Sequence, residues 1–149
     1  MNAFASAGAG FLLAVLWFDL MFDIQVIAHR GPELPEDVLA SIASYYHRAT
    51  TTARPMNRLI ALVMLATLAA IVVEIVNDAG QAWAPWASLA LAIPPIALAG
   101  TRTVPSAVTL GTRRDPVADQ STLARSIYHQ HMFCVIAIAA LLVLQLAFA

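Results

Sequence analysis

Four apolar stretches, each long enough to cross a bilayer, take up most of this chain. A span needs roughly 20 mainly apolar residues to cross about 30 Å of hydrocarbon. The candidates run over residues 4–27, 57–77, 83–100 and 124–148, and the third is short and carries Pro94 and Pro95. In 149 residues that leaves room for one transmembrane domain, 1–149, and no second. Composition agrees, with 60% hydrophobic and 11% charged residues, where soluble domains average about 45–50% and about 25%. These values exclude an ordinary soluble enzyme and a disordered chain. A net charge of −1 lacks the basic surplus of a nucleic-acid-binding domain. The single cysteine, Cys134, excludes an internal disulfide, a CxxC redox pair and a Cys-based zinc site. The expected fold is all-α, an integral membrane four-helix bundle.

Residues 1–28 read as a permanent span rather than a cleaved leader. They have no basic n-region, Asp19 and Asp23 interrupt the apolar run, and no A-x-A-like site follows that run before Arg30. All eight basic residues of the chain are arginines. Arg30, Arg48, Arg54 and Arg58 lie in the loop 28–58, and Arg102, Arg113, Arg114 and Arg125 in the loop 100–126. With four spans these loops share one face, while the opposite face carries no basic residue. The positive-inside rule puts the arginine face in the cytoplasm and both termini outside, as a multi-pass protein of a bacterial inner (plasma) membrane.

The linkers carry their own signals. Asn77, Asp78, Ala79 and Gly80 spell a turn between antiparallel spans two and three, and Trp83 and Trp86 follow at the outer interface. Residues 36–53 place Val38, Leu39, Ile42, Tyr45, Tyr46 and Ala49 on one side at helical spacing, with Glu36 and Asp37 in the first turn. This predicts an amphipathic helix in the first cytoplasmic loop, lying on the membrane or extending span two. Pro55 sets a break before span two proper.

Ionisable groups inside a span are costly and each needs an explanation. Asp19 and Asp23 are four residues apart, on one face of span one with Gly8, Leu12, Val15 and Val26. That face should point into the bundle. His129 and His131, near the start of span four, reach overlapping depths on the same side of the bilayer. Asn57, Arg58 and Arg102 join them from spans two and three, with Tyr45, Tyr46 and His47 above; Glu74 is on the opposite side. Two residues apart on a helix, the histidines diverge by about 200°, so one faces inward. His129 is the favoured one, because Arg125 continues its face.

Asp19, Asp23 and His129 are therefore candidate catalytic bases, and with His131 they are candidate ligands for a metal ion. Carboxylate and imidazole from facing helices are how bundles build such sites. The E-x-x-H motif of di-iron bundles is missing, and neither His29 nor His47 sits deep enough to complete a bis-histidine haem site. Copper could use His129, Met132 and Cys134, but Cys134 lies off the His129 face. The sequence does not name a cofactor. Asn57, Arg58, Arg102 and Arg125 are candidates for binding an anionic substrate group. Alternatively Asp19 and Asp23 pair with Arg58, Arg102 or Arg125 and fix helix register, and the arginines meet anionic lipid headgroups.

After span three the chain reads Thr103, Val104, Pro105 through to Leu110, and a polar opening to span four runs from Arg125 to His131. With the length and four spans, these features resemble the anthrone-oxygenase-like family of small four-span membrane proteins. Thr103 and Ala107 stand where that family's pattern has asparagines. The resemblance implies oxidation of a hydrophobic polycyclic or quinone-like compound at the membrane. Three readings stand side by side. An oxidoreductase predicts a bound metal or a lipid-accessible cavity in the cytoplasmic half. A structural or accessory subunit predicts closed ion pairs and no cavity. A proton-coupled transporter predicts a polar route outward, where span one is almost wholly apolar beyond Asp19. Membrane lipids, a lipophilic small molecule, further copies of the chain or a larger membrane complex are the partners in view; nucleic acid is not.

Overall fold

The computed structural model describes residues 2–77 and 83–148, and within them every regular element is helical. Helix α1 (Asn2–Asp23) tightens into a 3₁₀ turn (Ile24–Ala28). Helix α2 (Glu36–His47) ends in a π turn (Arg48–Thr52), and α3 is Arg54–Asn77. Helix α4 (Trp83–Leu98) passes through a π turn (Ala99–Thr103) into α5 (Val104–Thr112), and α6 is Val117–Phe148. The turn expected at Asp78, Ala79 and Gly80 lies outside the described residues.

Four helical segments are long and apolar enough to cross a membrane: Ala3–Ala28, Pro55–Asn77, Trp83–Thr112 and Val117–Phe148. They form the expected all-α bundle, each packed on two neighbours in the cyclic order α1, α3, α4, α6. Trp17, Leu62, Leu65, Ile136 and Val143 point outward, exposed. Such a belt suits lipid and would be out of place on a soluble monomer.

The third and fourth segments are longer than the sequence suggested. Pro94 and Pro95 lack the N–H groups that would bond the carbonyls one turn back, yet the helix runs on through its π turn into α5. Helix α6 starts at Val117 because its first two turns hold the loop before α2. Leu34 N–H donates to Ser121 Oγ at 2.9 Å, and both residues are buried.

Two separate cores result. At the far end Ala5, Ala9, Leu12, Ala70, Ile71, Ala92, Ile138 and Leu141 form a core in which alanines alternate with leucine and isoleucine side chains. Helices α1 and α3 touch closely there: a Cβ built on Gly8 would lie 2.0 Å from Thr67 Oγ1. At the arginine end the amphipathic α2 packs on α5 through Leu39, Ile42, Tyr46, Ala107 and Leu110, all buried. Gly111 permits that contact, since a Cβ on it would meet the His47 backbone nitrogen at 3.0 Å. The Arg113–Glu36 ion pair ties the C-terminus of α5 to the first turn of α2.

Candidate functional site

Asp19 and Asp23, one turn apart, both face inward as their spacing requires. Asp23 is fully buried, and both its oxygens are engaged. Tyr46 Oη donates to Oδ1 at 2.6 Å, and His131 Nδ1 lies 2.6 Å from Oδ2. A carboxylate can only accept here, so the Nδ1 hydrogen points at Asp23 and Nε2 is left free. Tyr45 Oη donates to Asp19 Oδ1 at 2.6 Å, and its ring stacks on Phe22 with centroids 4.1 Å apart. Asp19 Oδ2 and His131 Nε2 are then 3.8 Å apart, too long for a direct hydrogen bond.

The phenols satisfy the carboxylates without adding charge, which is why no arginine is needed. Each phenol is itself held neutral. Burial pushes the Tyr45 hydroxyl well above the ordinary tyrosine range, and the negative charge of Asp19 adds to it. Burial does the same to Tyr46, reinforced by Asp23 and then Asp19.

Below this polar cap the bundle is open. A cavity of about 1170 Å³ lies between α1, α3, α4 and α6, roofed by the end of α2 and its π turn. Apolar side chains make most of its wall, among them Phe11, Leu16, Ile60, Met64 and Ile138. Asp19, Tyr45, Tyr46 and His131 line the polar end, and Cys134 the wall nearby. Binding pockets for small ligands are commonly about 300–1,000 Å³ and mostly apolar with a few convergent polar groups, and this cavity has that character.

Four sequence expectations are corrected. The inward imidazole is His131; His129 is exposed and bonds back to the Arg125 carbonyl at 2.7 Å. The face through Arg125 was the wrong guide, because Arg125 turns outward and donates to the Gly31 carbonyl at 2.6 Å. Nor do the aspartates pair with arginine: among the described residues their partners are Tyr45, Tyr46 and His131. Arg58 and Arg102 are exposed and stand outside the cavity wall. Asn57 belongs to that wall, its side-chain nitrogen donating to the Ala49 carbonyl at 2.7 Å. His47, expected above the aspartates, is exposed.

The donor set does not fit a metal ion. Three of the four carboxylate oxygens already accept hydrogen bonds from Tyr45, Tyr46 and His131, which leaves Asp19 Oδ2 and His131 Nε2. Among the described residues no three His, Cys, Asp or Glu side chains gather as metal ligands. What the arrangement can do is hold a proton, or pass one, between a carboxylate and an imidazole that both face an apolar chamber.

Sequence reasoning placed Tyr45 and Tyr46 near the aspartates without seeing them as direct partners. The available signal was two adjacent phenols on the buried face of the amphipathic helix, at the end where two carboxylates needed donors. No family model matches the chain, and no similar curated protein or solved structure was found.

Proposed function

We propose that this small membrane protein takes a lipophilic, oxygen-bearing molecule from the bilayer into the cavity and exchanges a proton with it at Asp19 and His131. The observation that carries this reading is an apolar chamber ending on two proton-binding groups whose other atoms are already fixed. A purely structural role for the aspartates would leave a closed cluster and no chamber. A hydroxyl placed between Asp19 Oδ2 and His131 Nε2, which are 3.8 Å apart, could bond both by donating to the carboxylate and accepting from the imidazole once Nε2 carries the exchanged proton. Asp23 acts as a positioning residue that holds the imidazole by Nδ1, and Tyr45 holds Asp19. Within reach of substrate, such a pair serves as general acid and base.

The substrate class in this reading is quinone-like or polycyclic, and the activity is that of a membrane oxidoreductase. Proton abstraction from a phenolic or activated C–H group is the step these residues supply, and an external electron acceptor such as dioxygen takes the electrons. The arginine-rich end lies in the cytoplasm of a bacterial cell, both termini lie outside, and Arg58 and Arg102 face anionic headgroups.

The test is solvent extraction of detergent-purified protein followed by mass spectrometry, with direct binding of an added quinol. Wild type is compared with Asp19→Asn and with Ala61→Trp, which fills the cavity wall. A lipophile bound by wild type, weakened about tenfold or more in Asp19→Asn and lost in Ala61→Trp, is the expected result. Equal binding by all three proteins, or none by wild type, would sink the proposal.

A further inference from the structure

A second polar cluster sits in the other half of the bundle, and the proton-exchange site makes no use of it. Glu74 on α3, Ser88 on α4 and Gln145 on α6 converge there, exposed by 7%, 1% and 4%. Gln145 is fourteen residues beyond His131 on α6, about 21 Å along the helix at 1.5 Å per residue. Between them lie Ile138 and Leu141, packed with Leu12 and Ile71 in the closed core.

The hydrogen-bond accounting at this cluster does not close. Gln145 Nε2 donates to Glu74 Oε2 at 3.2 Å and to Ser88 Oγ at 3.0 Å, which uses both its hydrogens. Glu74 Oε1 and Gln145 Oε1 are left buried with no partner among the described residues. Turning the amide over does not help, because its oxygen would then face the carboxylate. Both unpartnered atoms are acceptors, and they belong to head groups already in contact.

Charge sharpens the point. The chain has no lysine, and all its arginines and histidines lie at the opposite end. Among the described residues, the halves of α1, α3, α4 and α6 around Glu74 carry no other titratable or charged side chain. Asp78 lies outside the described residues and is itself acidic. A bare carboxylate in an apolar interior is strongly disfavoured, and so is each unpaired acceptor beside it. One small positive ligand touching both free oxygens removes both penalties.

We propose that Glu74, Gln145 and Ser88 form a binding site for one small monovalent cation, supplied as a proton or as a sodium ion. A proton on Glu74 Oε1 that donates to Gln145 Oε1 closes a carboxylic acid–amide ring with nothing added. Sodium would use the same two oxygens with Ser88 Oγ, fewer oxygens than it usually gathers, so the geometry favours the proton. The site bonds α3, α4 and α6 together independently of any ligand in the cavity.

The test uses the whole protein in detergent. Thermal unfolding is followed against sodium at fixed pH, and against pH without sodium, for wild type and Glu74→Gln. The glutamine keeps the shape, removes the charge and brings its own hydrogens to Gln145 Oε1. If the ligand is a proton, wild type loses about 4 °C or more of Tm relative to Glu74→Gln between about pH 5 and about pH 9, whatever the sodium concentration. Wild-type infrared spectra then contain a protonated-carboxyl band that Glu74→Gln lacks. If the ligand is sodium, wild-type Tm climbs with sodium and that of Glu74→Gln does not. Parallel responses of the two proteins to both titrations, with no difference band, would overturn the proposal. Should Glu74→Gln fail to fold, Glu74→Met, which also removes the carboxyl group, replaces it as the variant expected to lose the response.

Discussion

The two halves of this bundle solve one packing problem in opposite ways. At the far end Ala5, Ala9, Ala70 and Ala92 are buried where the helices meet. Toward the arginine end Phe18, Phe22, Met56 and Leu65 line a chamber instead of filling it, and a separate helix closes the top. Polar groups follow the same division. Glu74, Gln145 and Ser88 are sealed inside their half, whereas Asp19 and His131 keep free atoms on the chamber wall. Small residues make a rigid base, and the larger, unmatched ones above it leave room for a guest.

The largest expected effect comes from Asp23→Ala. It removes the short bonds of both Tyr46 Oη and His131 Nδ1, buried groups left only with each other at 3.4 Å. Breaking a buried charged pair from one side costs about 3–5 kcal/mol, so unfolding in detergent should show a loss of that order. Asp19→Ala should cost far less, because Asp19 borders the cavity and only Tyr45 loses its acceptor. Equal losses would mean that the two aspartates do not divide into a positioning and a working group.

A pair of enlarging substitutions compares the halves directly. Ala9→Leu inserts three carbons into the closed core and should cost about 1–3 kcal/mol through strain. Ala61→Leu points into the cavity and should be neutral or slightly stabilising. The measurement is the difference in unfolding midpoint between the two variants. Similar costs at both positions would show that the chamber is closed in the membrane-bound protein.

Much of this division was legible in the sequence, and the remainder has identifiable causes. Four spans, the α2 amphipathic helix and the inward face of Asp19 and Asp23 follow from hydrophobic length and from 3.6-residue periodicity. The choice between His129 and His131 did not follow. Periodicity fixes the angle between two residues on a helix but not the rotation of that helix in the bundle, and Arg125 proved to be an outward marker. The cavity was foreseeable only as one of two outcomes, because empty space depends on how side chains from four helices mesh. Glu74 was correctly kept apart from the aspartates, yet its pairing with Gln145 and Ser88 needed the rotation of three helices at once.

A smaller effect is expected at Gly8. A Cβ there would meet Thr67 Oγ1, the end of a side chain that can rotate away at the expense of its bond to the Val63 carbonyl. Gly8→Ala should therefore cost about 1 kcal/mol, and Thr67→Ala should relieve most of that cost. In a double-mutant cycle the two changes together would be less harmful than their sum. Strict additivity would mean that α1 and α3 do not meet at this point.

The smallest effect is a pH dependence confined to the open half. Burial and the neighbouring aspartates raise the folded-state pKa of Tyr45 and Tyr46 above the free-tyrosine value of about 10. Below about pH 10 both phenols are protonated folded and unfolded alike, and they contribute no pH slope. Above it the unfolded chain gives up these protons while the folded chain keeps them, so the unfolded state binds fewer and stability falls as pH rises. Wild-type Tm should accordingly drop between about pH 10 and about pH 11, and a Tyr45→Phe/Tyr46→Phe variant, less stable at neutral pH, should drop less steeply. Ultraviolet titration gives the second readout: the folded protein should withhold two phenolate signals that appear on unfolding. An equal alkaline slope in the double variant would place the sensitivity elsewhere and would mean that the aspartates do not hold α2 in place.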